Sequence, residues 1–145
     1  MKNEVSGETV VKSKKKERGA VAVEMAIVLP LLLLLVIGIM EFGRALNVQV
    51  SLTQAAREGA RHAAIHYDDG TLDVAGTAAA AAPSLAGLGM TVASDAASCS
   101  SGSDVTVTTS LTLPSLSGFL DAGFFGGSVI FPLNMTGVGV MRCGG

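Results

Sequence analysis

The sequence predicts a membrane-anchored α+β protein. Its parts are a long N-terminal transmembrane helix that extends outside the membrane, then a short helix, then a small antiparallel sheet of about three strands. Three observations carry this reading. Ala20 to Met40 is an apolar run of 21 residues interrupted by one charge, Glu24. Helical spacing of small residues continues beyond that run to about His66. After Pro83 the pattern changes to segments rich in Val, Thr and Ile, with partial alternation.

The elements follow in chain order. Residues 1–18 carry six basic and three acidic side chains, whereas the remainder carries four basic and nine acidic. The first stretch has no apolar periodicity and reads as a disordered basic leader on the cytosolic side. An acidic body behind a basic head excludes a nucleic-acid-binding role, which needs a basic face on the folded part.

Ala20–Met40 follows. As a helix it is roughly 31 Å long, the thickness of a bilayer's hydrocarbon core. Pro30 lies inside it, and a membrane helix tolerates such a kink. Lysines before the span and acids after it place the N-terminus in the cytosol and the rest outside. The apolar run is too long for a cleaved secretory signal, and no A-x-A-like site follows it before Arg44.

From Glu41 to His66 there is no proline. Glu41–Arg44 and Glu58–Arg61 are spaced i,i+3, and Glu58–His62 i,i+4, as paired side chains on a helix are. Leu52, Ala56, Gly59 and Ala63 fall on one face, and that small-residue stripe lets another helix or a sheet approach closely. The span and this continuation read as one rod of about 45 residues, roughly 65–70 Å long. "YDDG" (67–70) ends it with turn chemistry.

Residues 67–145 then form a small α+β head. A helix is expected over 71–82, stopped by Pro83, with strands over 90–94, 104–113 and 128–141. An apolar loop or short helix is expected over 114–127. Phe and Tyr are scarce and Trp is absent, so the core is thin and leans on a membrane, a disulfide or neighbouring subunits. Two cysteines, Cys99 and Cys143, lie in this part; an even count outside the cytosol suggests one disulfide, against the alternative of two unrelated thiols.

The spacing that raises a functional question is Arg18-Gly19-Ala20 with Glu24 four residues on. If the chain were cut after Gly19, Ala20 would carry a new α-ammonium. Glu24 would be residue five of the product, about 6 Å along the helix. Stacked helices offset by about one turn would then pair each carboxylate with a neighbour's ammonium. A charge at the centre of a membrane helix costs about 2.5–3.5 kcal/mol, and less near the boundary; pairing offsets that cost and sets register. Read alone, Glu24 is a carboxylate reaching for water at the headgroup boundary.

The stretch "RGAVAVEMAIVLPLLLLLVIGIMEFGRAL", followed by "AAREGARHAA", resembles the TadE-like family of the tight-adherence (Tad, Flp-type) pilus machinery, and its start resembles a class III prepilin signal. The resemblance covers residues 18–64. It implies a pilin-like fold and a minor pseudopilin that acts in pilus assembly, with residues 1–19 removed by a prepilin peptidase. Gly19 and Ala20 would flank the cut and Glu24 would be the +5 glutamate. Met25 stands where pilins of this system often carry tyrosine. The implied partners are other pilins and pseudopilins, the peptidase, an inner-membrane assembly platform and the lipid bilayer.

Other candidates read as structural. His62 and His66 are i,i+4 with Asp68 and Asp69 nearby. No His-Glu-x-x-His pattern accompanies them, so they read as solvated residues and not as a metal site. Arg57, Glu58 and Arg61 read first as a solvated face and second as a subunit contact. No G-x-S-x-G, phosphate-binding glycine loop or zinc-type cysteine cluster is present, so neither an enzyme nor a cofactor is expected. The competing class is an uncleaved single-pass anchor whose exposed sheet binds a partner.

Overall fold

The computed structural model describes residues 9–68, 72–118 and 131–144, with side chains from residue 19 onward. Helix α1 spans Thr9–Ile65, α2 spans Val74–Ala81, and strands β1, β2 and β3 span Thr91–Ser94, Asp104–Leu113 and Leu133–Arg142. Short 3-10 turns occupy Pro83–Leu85 and Ala96–Ser98. Two compact units result, Met1–Met40 and Glu41–Gly145.

The first unit lies on α1. The described residues of the apolar run are exposed or half-buried, and the most apolar 18-residue window has mean hydropathy 2.8 with none of it buried. By length and composition α1 can cross a membrane. Pro30 sits within the helix. The reading of residues 1–18 as disordered is corrected from Thr9 onward, where the backbone is already helical. Lys14 to Arg18 are good helix formers, so they extend a helix nucleated in the apolar run at little cost.

The second unit packs the later part of α1 against the sheet. Among the described residues the strands lie in the order β1-β2-β3, both pairs antiparallel. β2 and β3 pair without a bulge from Asp104↔Arg142 to Leu113↔Leu133. β2 alternates strictly, with Val105, Val107, Thr109, Leu111 and Leu113 inward, because successive side chains point to opposite faces. The helix face that meets them is made mostly of small residues. Leu52, Ala55, Ala56, Ala60 and Ala63 are fully buried, which is the stripe that the spacing of Leu52, Ala56, Gly59 and Ala63 predicts.

Close approach has a second cause on the strand side. A Cβ on Gly137 would lie 2.5 Å from the Leu52 carbonyl carbon, and one on Gly139 2.4 Å from the Ala56 oxygen. The two glycines share a face at i,i+2, so β3 lies directly on the helix backbone there. The buried Thr109 hydroxyl donates to the Leu52 carbonyl at 2.9 Å, which satisfies a polar group inside this contact.

Helix α2 starts at Val74, later than the expected 71, because Asp73 is its N-cap and accepts from the Gly76 N–H at 2.8 Å. β3 begins at Leu133. The expected strand positions 128–130, the loop positions 119–127, and the turn residues Asp69 and Gly70 lie outside the described residues.

Candidate functional site

Gly19, Ala20 and Glu24 are all exposed on α1, and the helix runs unbroken through the Gly19–Ala20 peptide. A Cβ placed on Gly19 would meet nothing within 4 Å. Arg57, Glu58 and Arg61 lie further along the same helix. Arg61 forks onto Glu58, with Nη2 3.0 Å from Oε1 and Nε 3.1 Å from Oε2. This hydrogen bond holds the Glu58 carboxyl below its ordinary pKa and the Arg61 guanidinium above its own. Both side chains are well exposed, and such pairs contribute little to stability. Arg57 makes no ion pair among the described residues.

Cys99 and Cys143 are joined by a disulfide, with Cα atoms 6.0 Å apart and 44 residues between them in sequence. The bond links the turn that follows β1 to the residue that follows β3, the two edges of the sheet. His62 and His66 stack with ring centroids 4.4 Å apart, and the His66 Nδ1 is 3.1 Å from the His62 carbonyl.

The i,i+3 pair expected between Glu41 and Arg44 does not form among the described contacts. Both side chains turn to the segment after β2. Glu41 is 2 % exposed. Its Oε1 accepts from the Leu116 N–H at 2.8 Å, the Ser117 N–H at 2.9 Å and the Ser117 hydroxyl at 3.0 Å. Arg44 Nη1 donates to the Pro114 carbonyl at 2.9 Å. A buried carboxylate is stabilised by donors that aim at one oxygen, and backbone N–H groups of a tight turn do so better than a flexible cation. Sequence reasoning missed this role. The available signal was an acid and a base bracketing Phe42-Gly43 directly after the span, a spacing that fits an ion pair equally well.

Burial is the largest influence on the Glu41 carboxyl and pushes its pKa up. Hydrogen bonds from the Ser117 and Leu116 N–H groups, then from the Ser117 and Ser115 hydroxyls, together outweigh it, and the pKa lies below the ordinary value of 4.5. The stabilisation supplied by the charged form is therefore complete above pH 4.5 and is lost as pH falls through the lower folded-state pKa. Glu41→Ala is expected to cost about 2–3 kcal/mol, because it strands donors that served a charged acceptor. Thermal melts of the full chain in detergent at several pH values check this. The wild type should lose stability on acidification in a way that Glu41→Gln does not.

Comparison with known proteins adds one positive result. Among curated proteins and among solved structures nothing matches the chain. Residues 19–61 match the family model described as TadE-like protein, so the segment that holds Gly19, Ala20, Glu24 and the Glu41–Arg44 clamp is TadE-like.

Proposed function

We propose that the chain is a TadE-like minor pseudopilin that takes part in assembling a tight-adherence (Flp-type) type IV pilus. At the coarse level the TadE-like match associates it with the Tad/Flp pilus system, a structural and not a catalytic role. The observation that carries the finer reading is Gly19-Ala20 with Glu24 on an exposed apolar helix inside the matched segment. A prepilin peptidase cuts after Gly19, and Glu24 pairs with the new N-terminus of a neighbouring subunit, setting helix register. Arg57, Glu58 and Arg61 contact adjacent subunits. Partners are other pilins and pseudopilins of the machinery and its inner-membrane platform. The chain is a single-pass protein of the inner membrane with its N-terminus cytosolic. The basic leader supports that orientation, as does a disulfide in the folded unit, since such bonds persist outside the cytosol.

The unbroken helix through Gly19 and Ala20 favours a second reading, because a peptidase needs an extended backbone at its cut. There the chain stays whole as a membrane-anchored binding or scaffold module. Intact-mass measurement of membrane-extracted protein separates the two: loss of residues 1–19 supports processing, and a full-length chain in a host that has the peptidase supports the anchor. Glu24→Ala is expected to leave insertion intact and to abolish piliation; normal piliation would remove the pairing mechanism.

A further inference from the structure

β3 is an edge strand of ten residues, and its free side follows from its register. The Cys143 N–H donates to the Ser103 carbonyl at 2.8 Å, one step beyond the last paired residues, Asp104 and Arg142. In an antiparallel ladder inward-bonding residues alternate. Odd-numbered residues of β3 therefore bond to β2, and the N–H and C=O groups of Asn134, Thr136, Val138, Val140 and Arg142 point away from it. Two further contacts agree. The Thr136 carbonyl accepts from Gln49 Nε2 of α1 at 2.8 Å. The Asp95 N–H donates to the Thr106 carbonyl, so even residues of β2 face β1.

Proteins commonly blunt such an edge with lysine, proline, a bulge or a cover. β3 contains neither lysine nor proline, pairs without a bulge, and exposes Val138 and Val140 by 52 % and 54 %. Gln49 covers one carbonyl. Beside that edge α1 presents Phe42, Leu46 and Val50 at i,i+4,i+8, all exposed by more than half. Arg57 follows on the same flank, and Arg142 ends β3; neither forms an ion pair among the described residues. The surface thus offers open backbone groups, an apolar strip at one end and two cations at the other.

We propose that this edge accepts a β-strand from a different polypeptide. That strand is extended, apolar where it meets Phe42, Leu46 and Val50, and carries a carboxylate opposite Arg57 and Arg142. Main-chain hydrogen bonds to Val138 and Val140 supply affinity, and the apolar strip and the cations select the sequence. A second copy of this chain fits poorly. Its own free edge, β1, is four residues long, and the carboxylate that follows it, Asp95, already accepts the Thr106 N–H. Pairing β3 with β3 brings no carboxylate at all, since residues 133–142 contain none. The proposal rests on the sheet and goes beyond the pilus reading; it holds whether or not the leader is cut.

Photo-crosslinking tests it. A photoreactive phenylalanine analogue replaces Val140 in the full-length chain in its host's membranes, and adducts are mapped by mass spectrometry. The expected adduct is an extended segment of another protein that carries Asp or Glu. Val138→Pro removes only an outward N–H and leaves the β2 ladder intact; it should lower the adduct about tenfold or more, while Val138→Thr keeps it. Arg57→Glu with Arg142→Glu should weaken it similarly, through like-charge repulsion. Retention of the Cys99–Cys143 disulfide reports that each variant has folded. Should Val138→Pro fail that check, Val140→Pro with the photoreactive group at Val138 repeats the test. The proposal is overturned by adducts that map to a second copy, to residues 119–130 of the same chain or to lipid alone, by the absence of any adduct, or by an adduct that survives proline in a folded variant.

Discussion

Gly139→Ala is expected to destabilise residues 41–145 by about 3 kcal/mol or more, the upper range for overpacking a close contact. The new Cβ would sit 2.4 Å from the Ala56 oxygen, and the helix backbone cannot rotate aside as a side chain can. Gly137→Ala should behave alike, with its Cβ 2.5 Å from the Leu52 carbonyl carbon. Gly43→Ala is the contrast. It lies within α1 with nothing within 4 Å of an added Cβ, so the folded unit should be unchanged or gain up to about 1 kcal/mol from the lower entropy of the unfolded chain. Circular-dichroism melts of the full chain in detergent, read beside protease resistance, check all three. Equal stability of Gly139→Ala and wild type would show that β3 does not lie on the helix as described.

Removing the disulfide is the second large effect. Closing a loop across 44 residues restricts the unfolded chain by about 4 kcal/mol in the chain-entropy treatment. For a unit whose buried helix face is mostly alanine, that is a large share of a typical folding free energy of about 5–15 kcal/mol. Cys99→Ala paired with Cys143→Ala, or the wild type under reductant, should unfold at a clearly lower urea concentration. Cys143→Ala alone should be at least as harmful, because the residue is 1 % exposed and its replacement also leaves a small void. Coincident urea midpoints for oxidised and reduced protein would dismiss this role. Reduction should also loosen the Ala96–Ser98 turn before the β2–β3 ladder, since the bond reaches the sheet from that turn.

Much of this molecule was legible from local pattern. The apolar run needs no fold to declare itself, because the bilayer's thickness sets its length. The stripe of small residues announced close packing, and alternation placed β2 residue for residue, since one face of that strand is buried and the other is not. Where elements start was less legible. Asp73 moved the start of α2 through a single side-chain hydrogen bond, and the leader's charged residues joined the helix from Thr9 onward because helix propagates easily into lysine, glutamate and arginine.

By itself the sequence determined the anchor, the processing-type motif with Glu24, and the order of helix before sheet, since each depends on near neighbours in the chain and on solvent preference. Only the tertiary structure decided what Glu41 and Arg44 bind, why Gly137 and Gly139 are glycine, and which edge of the sheet stays open. Glu41 and the Leu116–Ser117 N–H groups are 75 and 76 residues apart, and β3 meets α1 across more than 80 residues. Contacts of that separation leave no periodic trace, because they are set by where folded backbones come to lie.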